Sequence, residues 1–180
     1  MRLQTLVFGC ITALSLSFTP ARASIERFLI VNSSLVRGGQ PTVVQDFIQL
    51  KKNGIRTVID LRTTGEMVEW ERRVVQNVGM NFRSFPIDGM SYPSEALVGD
   101  ALKAMRDPRL QPVFIHCHAG KDRTGLLVGL YRVSVMGWKP TDAYEEMLKI
   151  GFDPNLIGLR NFFWDHLPLR RVRTGPNLGR

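Results

Sequence analysis

The sequence predicts one α/β domain: a central, mostly parallel sheet flanked by helices. Three observations predict it. Short β-branched or apolar runs, Ile55–Ile59 and Val113–Ile115, alternate with longer stretches whose apolar residues recur at helical spacing. A chain of 180 residues, 44% hydrophobic and 22% charged, is long enough to bury one sizeable core. The two cysteines (Cys10, Cys117) and three histidines (His116, His118, His166) are too few for a disulfide scaffold or a Cys- or His-rich metal centre.

Residues 1–23 read as a secretory signal peptide. Arg2 supplies the positive start, Leu6–Phe18 the apolar centre, Pro20 the break and Ala21-Arg22-Ala23 the small-residue cleavage site. That apolar run is too short to span a bilayer, and Cys10 lies inside it, where no lipobox belongs. The expected domain is 24–167, acting in the periplasm or secreted, with Cys117 as its one thiol. An unpaired thiol in an oxidising compartment needs burial or a chemical task.

Along the domain, Arg27–Val31 and Ser34–Val36 read as extended, with Gly38-Gly39 as a turn. Thr42, with Gln45 placed for a capping box, opens a helix that Asn53-Gly54 ends. Val43, Val44, Phe47, Ile48 and Leu50 form its apolar face. Ile55–Ile59 is a buried strand ending at Asp60-Leu61-Arg62. Thr63 and Glu66 form a second capping-box pattern for a helix that Gly79 closes. Asn81–Phe85 is a strand and residues 86–93 a loop. Ser94 caps a helix ending near Asp107-Pro108. After the strand Val113–Ile115 and a turn at 120–124, a helix runs to Met136 and is broken by Gly137–Pro140. Thr141 caps the next helix, and Asn155–Leu167 is the last. Trp70 and Phe162-Phe163-Trp164 are read as core. The basic end, 168–180, is read as a solvated tail, with contact to an anionic membrane as the lesser reading.

Net charge is +8, or +6 once Arg2 and Arg22 leave with the signal. That balance favours anionic partners. Basic residues do not interleave with aromatics along one segment, which disfavours nucleic acid. In open α/β sheets ligands bind beyond the carboxyl ends of the strands. Three segments therefore stand out: Asp60–Arg62, Pro86–Asp88 and the run after Ile115.

The last carries the chemistry: His116-Cys117-His118-Ala119-Gly120-Lys121-Asp122-Arg123-Thr124-Gly125. An apolar strand enters and an apolar helix leaves. A loop of this length at a helix N-terminus points several backbone N–H groups into one small space, an anion cradle, and Gly120 permits the curvature. The positive field that binds phosphate also favours thiolate at Cys117, a nucleophile beneath the bound group. Arg123 can take two phosphate oxygens at once. Thr124 places a hydroxyl to donate to the Cys117 sulfur. His118, Ala119, Gly120, Lys121 and Asp122 complete the substrate-binding loop.

This segment resembles the signature of the cysteine-dependent protein tyrosine and dual-specificity phosphatases: His-Cys, five residues, Arg, then Ser or Thr. Leu35–Pro41 and Gly54–Arg62 look like the start of the small atypical dual-specificity type. The resemblance implies a dual-specificity phosphatase-like fold, a phosphocysteine intermediate, a phosphorylated substrate and neither metal nor cofactor. It also implies a loop-orienting role for His116 and an aspartate general acid on a loop before the signature. Asp88, after a strand and before Gly89, fits that acid; Asp122 is its competitor, and Asp60 is a third candidate, read instead as an ion pair with Arg62. The Gly-Lys-Asp-Arg-Thr version resembles members acting on inositol phosphates or phosphoinositides. Arg37 and Arg62 end strands near the site, and Arg37 is read as pairing with a carboxylate. A monomer is expected. The rivals are a non-catalytic phosphate-binding module and a sulfurtransferase.

Overall fold

A computed structural model describes residues 25–167. The expected signal peptide and basic tail lie outside them. The strands are β1 (Leu29–Asn32), β2 (Leu35–Gly38), β3 (Thr57–Asp60), β4 (Asn81–Ser84) and β5 (Val113–His116). The helices are α1 (Val44–Lys52), α2 (Glu66–Asn77), α3 (Glu95–Arg106), α4 (Asp122–Ser134), α5 (Pro140–Ile150) and α6 (Ile157–Asp165).

The sheet runs β1-β2-β5-β3-β4. β2, β5, β3 and β4 are parallel, and β1 closes one edge antiparallel to β2. Successive strand side chains point to opposite faces, and the two faces carry separate cores. Val36, Val58, Phe82 and Phe114 pack with Phe47 and Leu50 of α1 and Val68 and Val75 of α2. Leu35, Ile59, Val113 and Ile115 pack with residues of α3, α4, α5 and α6. α4 is buried from Thr124 to Val133, because neighbouring helices and the sheet enclose it on all sides. Its apolar run therefore has no solvent-facing stripe.

Ser94 caps α3, its Oγ accepting from the Leu97 N–H at 3.5 Å. The other expected caps differ. α1 starts at Val44, and the carboxylate that reaches back to the Thr42 N–H belongs to Asp46, at 3.3 Å, rather than to Gln45. α2 starts from Gly65, not Thr63, because the chain first turns at Asp60, whose carboxylate takes the Arg62 N–H at 2.8 Å. Pro140 opens α5 instead of breaking the chain before it, since the first helical position needs no N–H. α6 begins two residues late because Asp153 accepts from the Asn155 N–H at 2.9 Å. Gly38 is the last residue of β2 rather than part of a turn. Val43, Val44 and Trp164 are exposed, so only part of the expected α1 face and aromatic run is core.

Phe114 lies midway along the central strand, fully buried and 6.2 Å from the Phe28 ring. Phe114→Ala is expected to lower unfolding free energy by about 3–5 kcal/mol, read from urea denaturation as a lower midpoint at unchanged slope.

Candidate active site

The loop between β5 and α4 leaves the carboxyl end of the central strand, flanked by β2 and β3. Its backbone is held from outside. The Cys117 carbonyl accepts from His116 Nδ1 at 3.1 Å and the His118 carbonyl from the Gln40 N–H at 2.9 Å. The Ala119 carbonyl accepts from Arg27 Nη1 at 3.0 Å and the Gly120 carbonyl from Arg37 Nη2 at 2.6 Å. A trans peptide holds its C=O and N–H on opposite sides. Four carbonyls pinned outward therefore turn the N–H groups of residues 118–121 toward the enclosed space. The unpaired N–H groups of the first turn of α4 join them, and the helix dipole adds positive potential.

Gly120 is required twice over. Its φ is +68°, and a Cβ there would lie 2.6 Å from the Gly39 nitrogen and closer still to the Gly38 carbonyl. The segment after β2 thus forms the wall against which the loop is seated.

Cys117 is buried at the start of this loop, and His116 before it is fully buried. Burial alone would push the imidazole toward neutrality. The charge and hydrogen bond of Glu71, with the charge of Asp60, outweigh burial and the opposing Arg62, and raise its pKa. A protonated ring donates from both nitrogens: Nε2 to Glu71 Oε1 at 2.7 Å, Nδ1 to the Cys117 carbonyl. Arg62 completes the network, with Asp60 at 2.8 Å, Glu71 at 2.5 Å and Gln40 Oε1 at 2.8 Å. Asp60, Glu71 and His116 each bring a ligand atom within 4.8 Å of the others, close enough for a metal ion, but Arg62 already supplies the positive charge between the two carboxylates. Asp60 pairs with Arg62 as its sequence position implies. Glu71 is a residue that motif reading passes over. Its signal is a carboxylate on the face of α2 that Val68 and Val75 turn inward.

Beside the loop opens a cleft of about 450 Å³, lined by Thr63, Asp88, Gly89, Met90, Lys121, Asp122, Arg123, Asp153 and Leu156. Asp88 is exposed there. Ser91 Oγ donates to its Oδ2 at 2.5 Å and the Met90 N–H to its Oδ1 at 3.0 Å. The Ser91 bond first, then Met90 and the Arg123 charge, lower its pKa. The loop bearing it is seated on α6: a Cβ on Gly158 would lie 2.6 Å from the Tyr92 nitrogen, and the Tyr92 ring packs on Phe162 at 5.2 Å. Arg123 Nη1 lies 3.5 Å from the Ile87 carbonyl, so the first turn of α4 reaches the base of the same loop.

Three placements differ from expectation. The Thr124 hydroxyl is buried without a hydrogen-bond partner among the described residues, so it does not donate to Cys117 here: Thr124 lies within α4, enclosed with the helix. Asp122 lines the cleft but accepts the Asp153 N–H at 2.8 Å, tying down the turn before α6. Arg37 pairs with no carboxylate among the described residues; it is fully buried and bonds the Gly120 carbonyl instead. Strand alternation sends its side chain to the α4 face, away from Asp60 and Glu71. His118 is exposed.

Residues 20–157 match a family model described as a DSP-PTPase phosphatase fused to NAD+ kinase. The chain belongs to this dual-specificity phosphatase family. An inositol diphosphatase of Oryza sativa is 35% identical over 124 residues, covering 66% of this chain and 59% of that protein. The dual specificity protein phosphatase TpbA of Pseudomonas aeruginosa is 40% identical over 74 residues, 37% of this chain and 34% of that protein. The chain thus spans about 60% or less of the length of these curated phosphatases. The fold is shared with the core catalytic domain of a Saccharomyces cerevisiae PP-IP phosphatase (TM-score 0.69, 22% identity, 78% of this chain and 85% of that one).

The His116 pKa is raised above its ordinary 6.5. Its contribution to stability is therefore full below that value and is lost as pH rises through the folded pKa. Urea unfolding from about pH 5 to 9 should show this decline, and Glu71→Gln should flatten it. An unchanged pH dependence in a folded Glu71→Gln protein would contradict the assignment.

Proposed function

We propose that the chain is a cysteine-dependent phosphomonoester hydrolase of the tyrosine and dual-specificity type, working through a phosphocysteine intermediate. The observation that carries this reading is the loop with its carbonyls pinned outward, which places Cys117 below converging N–H groups and Arg123 in the cleft that Asp88 lines. Cys117 Sγ attacks phosphorus, and the bond to the leaving oxygen breaks. Asp88 gives its proton to that oxygen. Arg123 and the loop N–H groups hold the equatorial oxygens as their charge builds. Water then attacks phosphocysteine, returning a proton to Asp88 and the electron pair to sulfur.

Asp88 must be protonated to act, yet Ser91 and Met90 hold it as carboxylate. The proton transfer therefore needs the 86–93 loop to shift, so that Asp88 exchanges these donors for the leaving oxygen. The dianionic phosphate beside it favours the protonated form. Asp122 is the weaker candidate acid, because its carboxylate already holds the Asp153 N–H. Thr124 is a helper for the departing thiolate, once a rotamer change brings its hydroxyl to the sulfur.

An inositol diphosphate or inositol polyphosphate is the second substrate reading. Two observations favour it: Lys121 lines the cleft beside Arg123, and the rice relative carries that activity in its name. TpbA favours a phosphoprotein by the same reasoning. We place the enzyme outside the cytoplasm on the strength of residues 1–23, as a monomer, with no role for nucleic acid. The basic residues of 168–180 give it at most a weak attraction to an anionic membrane. Fractionation of expressing cells tests the first of these placements.

Phosphate release in EDTA and reductant, from a phosphotyrosine peptide, a phosphothreonine peptide and a diphosphoinositol polyphosphate, separates the substrate readings. Cys117→Ser should abolish release from all three, by at least about 10³-fold, while still binding inorganic phosphate in calorimetry. Turnover surviving that change would sink the mechanism. Asp88→Asn should slow aryl phosphates with poor leaving groups by about 10²-fold or more and good ones far less; equal loss across the series would remove Asp88 as the acid.

A further inference from the structure

The geometry points to Arg37 as a positioning residue for the nucleophile: a buried cation whose counter-charge is the Cys117 thiolate and the phosphate bound above it. This rests on the phosphatase reading and extends it to a residue outside the signature.

Arg37 is fully buried on the face of β2 that meets α4. One nitrogen, Nη2, bonds the Gly120 carbonyl at 2.6 Å. The other two, Nε and Nη1, have no hydrogen-bond partner among the described residues. A buried guanidinium left this way is expensive unless a charge or ligand answers it. The acid whose charge favours it most is Glu146 on α5, but Arg132 on α4 already holds that carboxylate through two bonds, of 2.7 and 3.0 Å. Arg132 itself opposes Arg37. The remaining group favouring its charged form is Cys117.

Arg62, on the other side of the loop, makes the contrast. It also senses Cys117, but Asp60 and Glu71 neutralise it. His116 is likewise answered by Glu71. Of the buried cations around Cys117 among the described residues, Arg37 is the one without a carboxylate partner. Burial lowers its pKa only to about 10, so it stays charged at neutral pH. Its bond to Gly120 fixes the loop, and its charge favours sulfur as thiolate.

The test is the rate of Cys117 alkylation by iodoacetamide in the full chain, read on the Cys117 peptide by mass spectrometry so that Cys10 does not interfere. The variants are Arg37→Gln, which keeps a donor without charge, Arg37→Lys, which keeps charge without the fork, and Arg37→Met, which keeps neither. Circular dichroism checks folding, and Arg37→Lys carries the comparison with Arg37→Gln if Arg37→Met fails to fold. At about pH 6, Arg37→Gln and Arg37→Met should react roughly tenfold more slowly than the unaltered protein and Arg37→Lys much less so, whereas near pH 9.5 the rates should agree. A loop merely displaced would change both rates by one factor, and that result, or unchanged rates at both pH values, overturns the proposal while leaving the phosphatase reading intact. If the unaltered protein loses reactivity from about pH 9.5 down to about pH 6 as an ordinary thiol does, the phosphatase reading falls, and this one with it.

Discussion

The carbonyls from Cys117 to Gly120 are each held by a donor outside the loop, and the rest of the site depends on that constraint. Backbone amides bind an anion well only if they converge before the anion arrives; otherwise the ordering cost falls on binding. Here the ordering is built in during folding. The donors come from the 25–40 segment and from the histidine that ends β5, so the edge hairpin and the central strand are parts of the site as much as of the sheet. Gly120 can lie against Gly38 and Gly39 only because it has no Cβ.

The two faces of the sheet treat charge differently. On the α2 side, Arg62 and His116 are matched by Asp60 and Glu71, a closed network that orients the stem of the loop. On the α4 side, Arg132 is matched by Glu146, and Arg37 is left over. Arg123, Lys121 and the N-terminus of α4 lie nearby, around the same loop. Asp88, Asp122 and Asp153 line the cleft on this side, but none of them pairs with Arg37 among the described residues. The loop carrying Asp88 is seated on α6 through Gly158 and Tyr92, while its base is tied to the end of β3 by the Ile87 N–H on the Leu61 carbonyl and to α4 by Arg123 on the Ile87 carbonyl.

The candidate site was legible where it is local in sequence. The strand-loop-helix around Cys117 reads directly, because strand, cysteine, glycine and arginine sit within a dozen residues and each element is signalled by its own side chains. Alternation of strands and helices was enough for the class of fold. Helix caps were less legible: Thr42, Thr63 and Thr141 have the right chemistry, but Asp60 turns the chain before α2, Asp46 reaches Thr42 before α1, and Pro140 begins α5. Cap patterns are weak signals when a nearby carboxylate or proline competes for the same backbone.

The sequence by itself determined the α/β class, the signature loop and its placement at a strand's carboxyl end, since these follow from hydrophobic periodicity and short-range spacing. Tertiary structure alone decided the partners. Which carboxylate answers His116, which cation lies beneath Gly120, what holds Asp88 and where Asp122 is tied depend on strand order and on the face each residue takes. β2 and β3 both pair with β5 although β5 comes far later in the chain. Arg37 and Arg62 therefore flank the same loop from opposite sides, and contacts between residues so far apart leave no periodicity in the sequence to read.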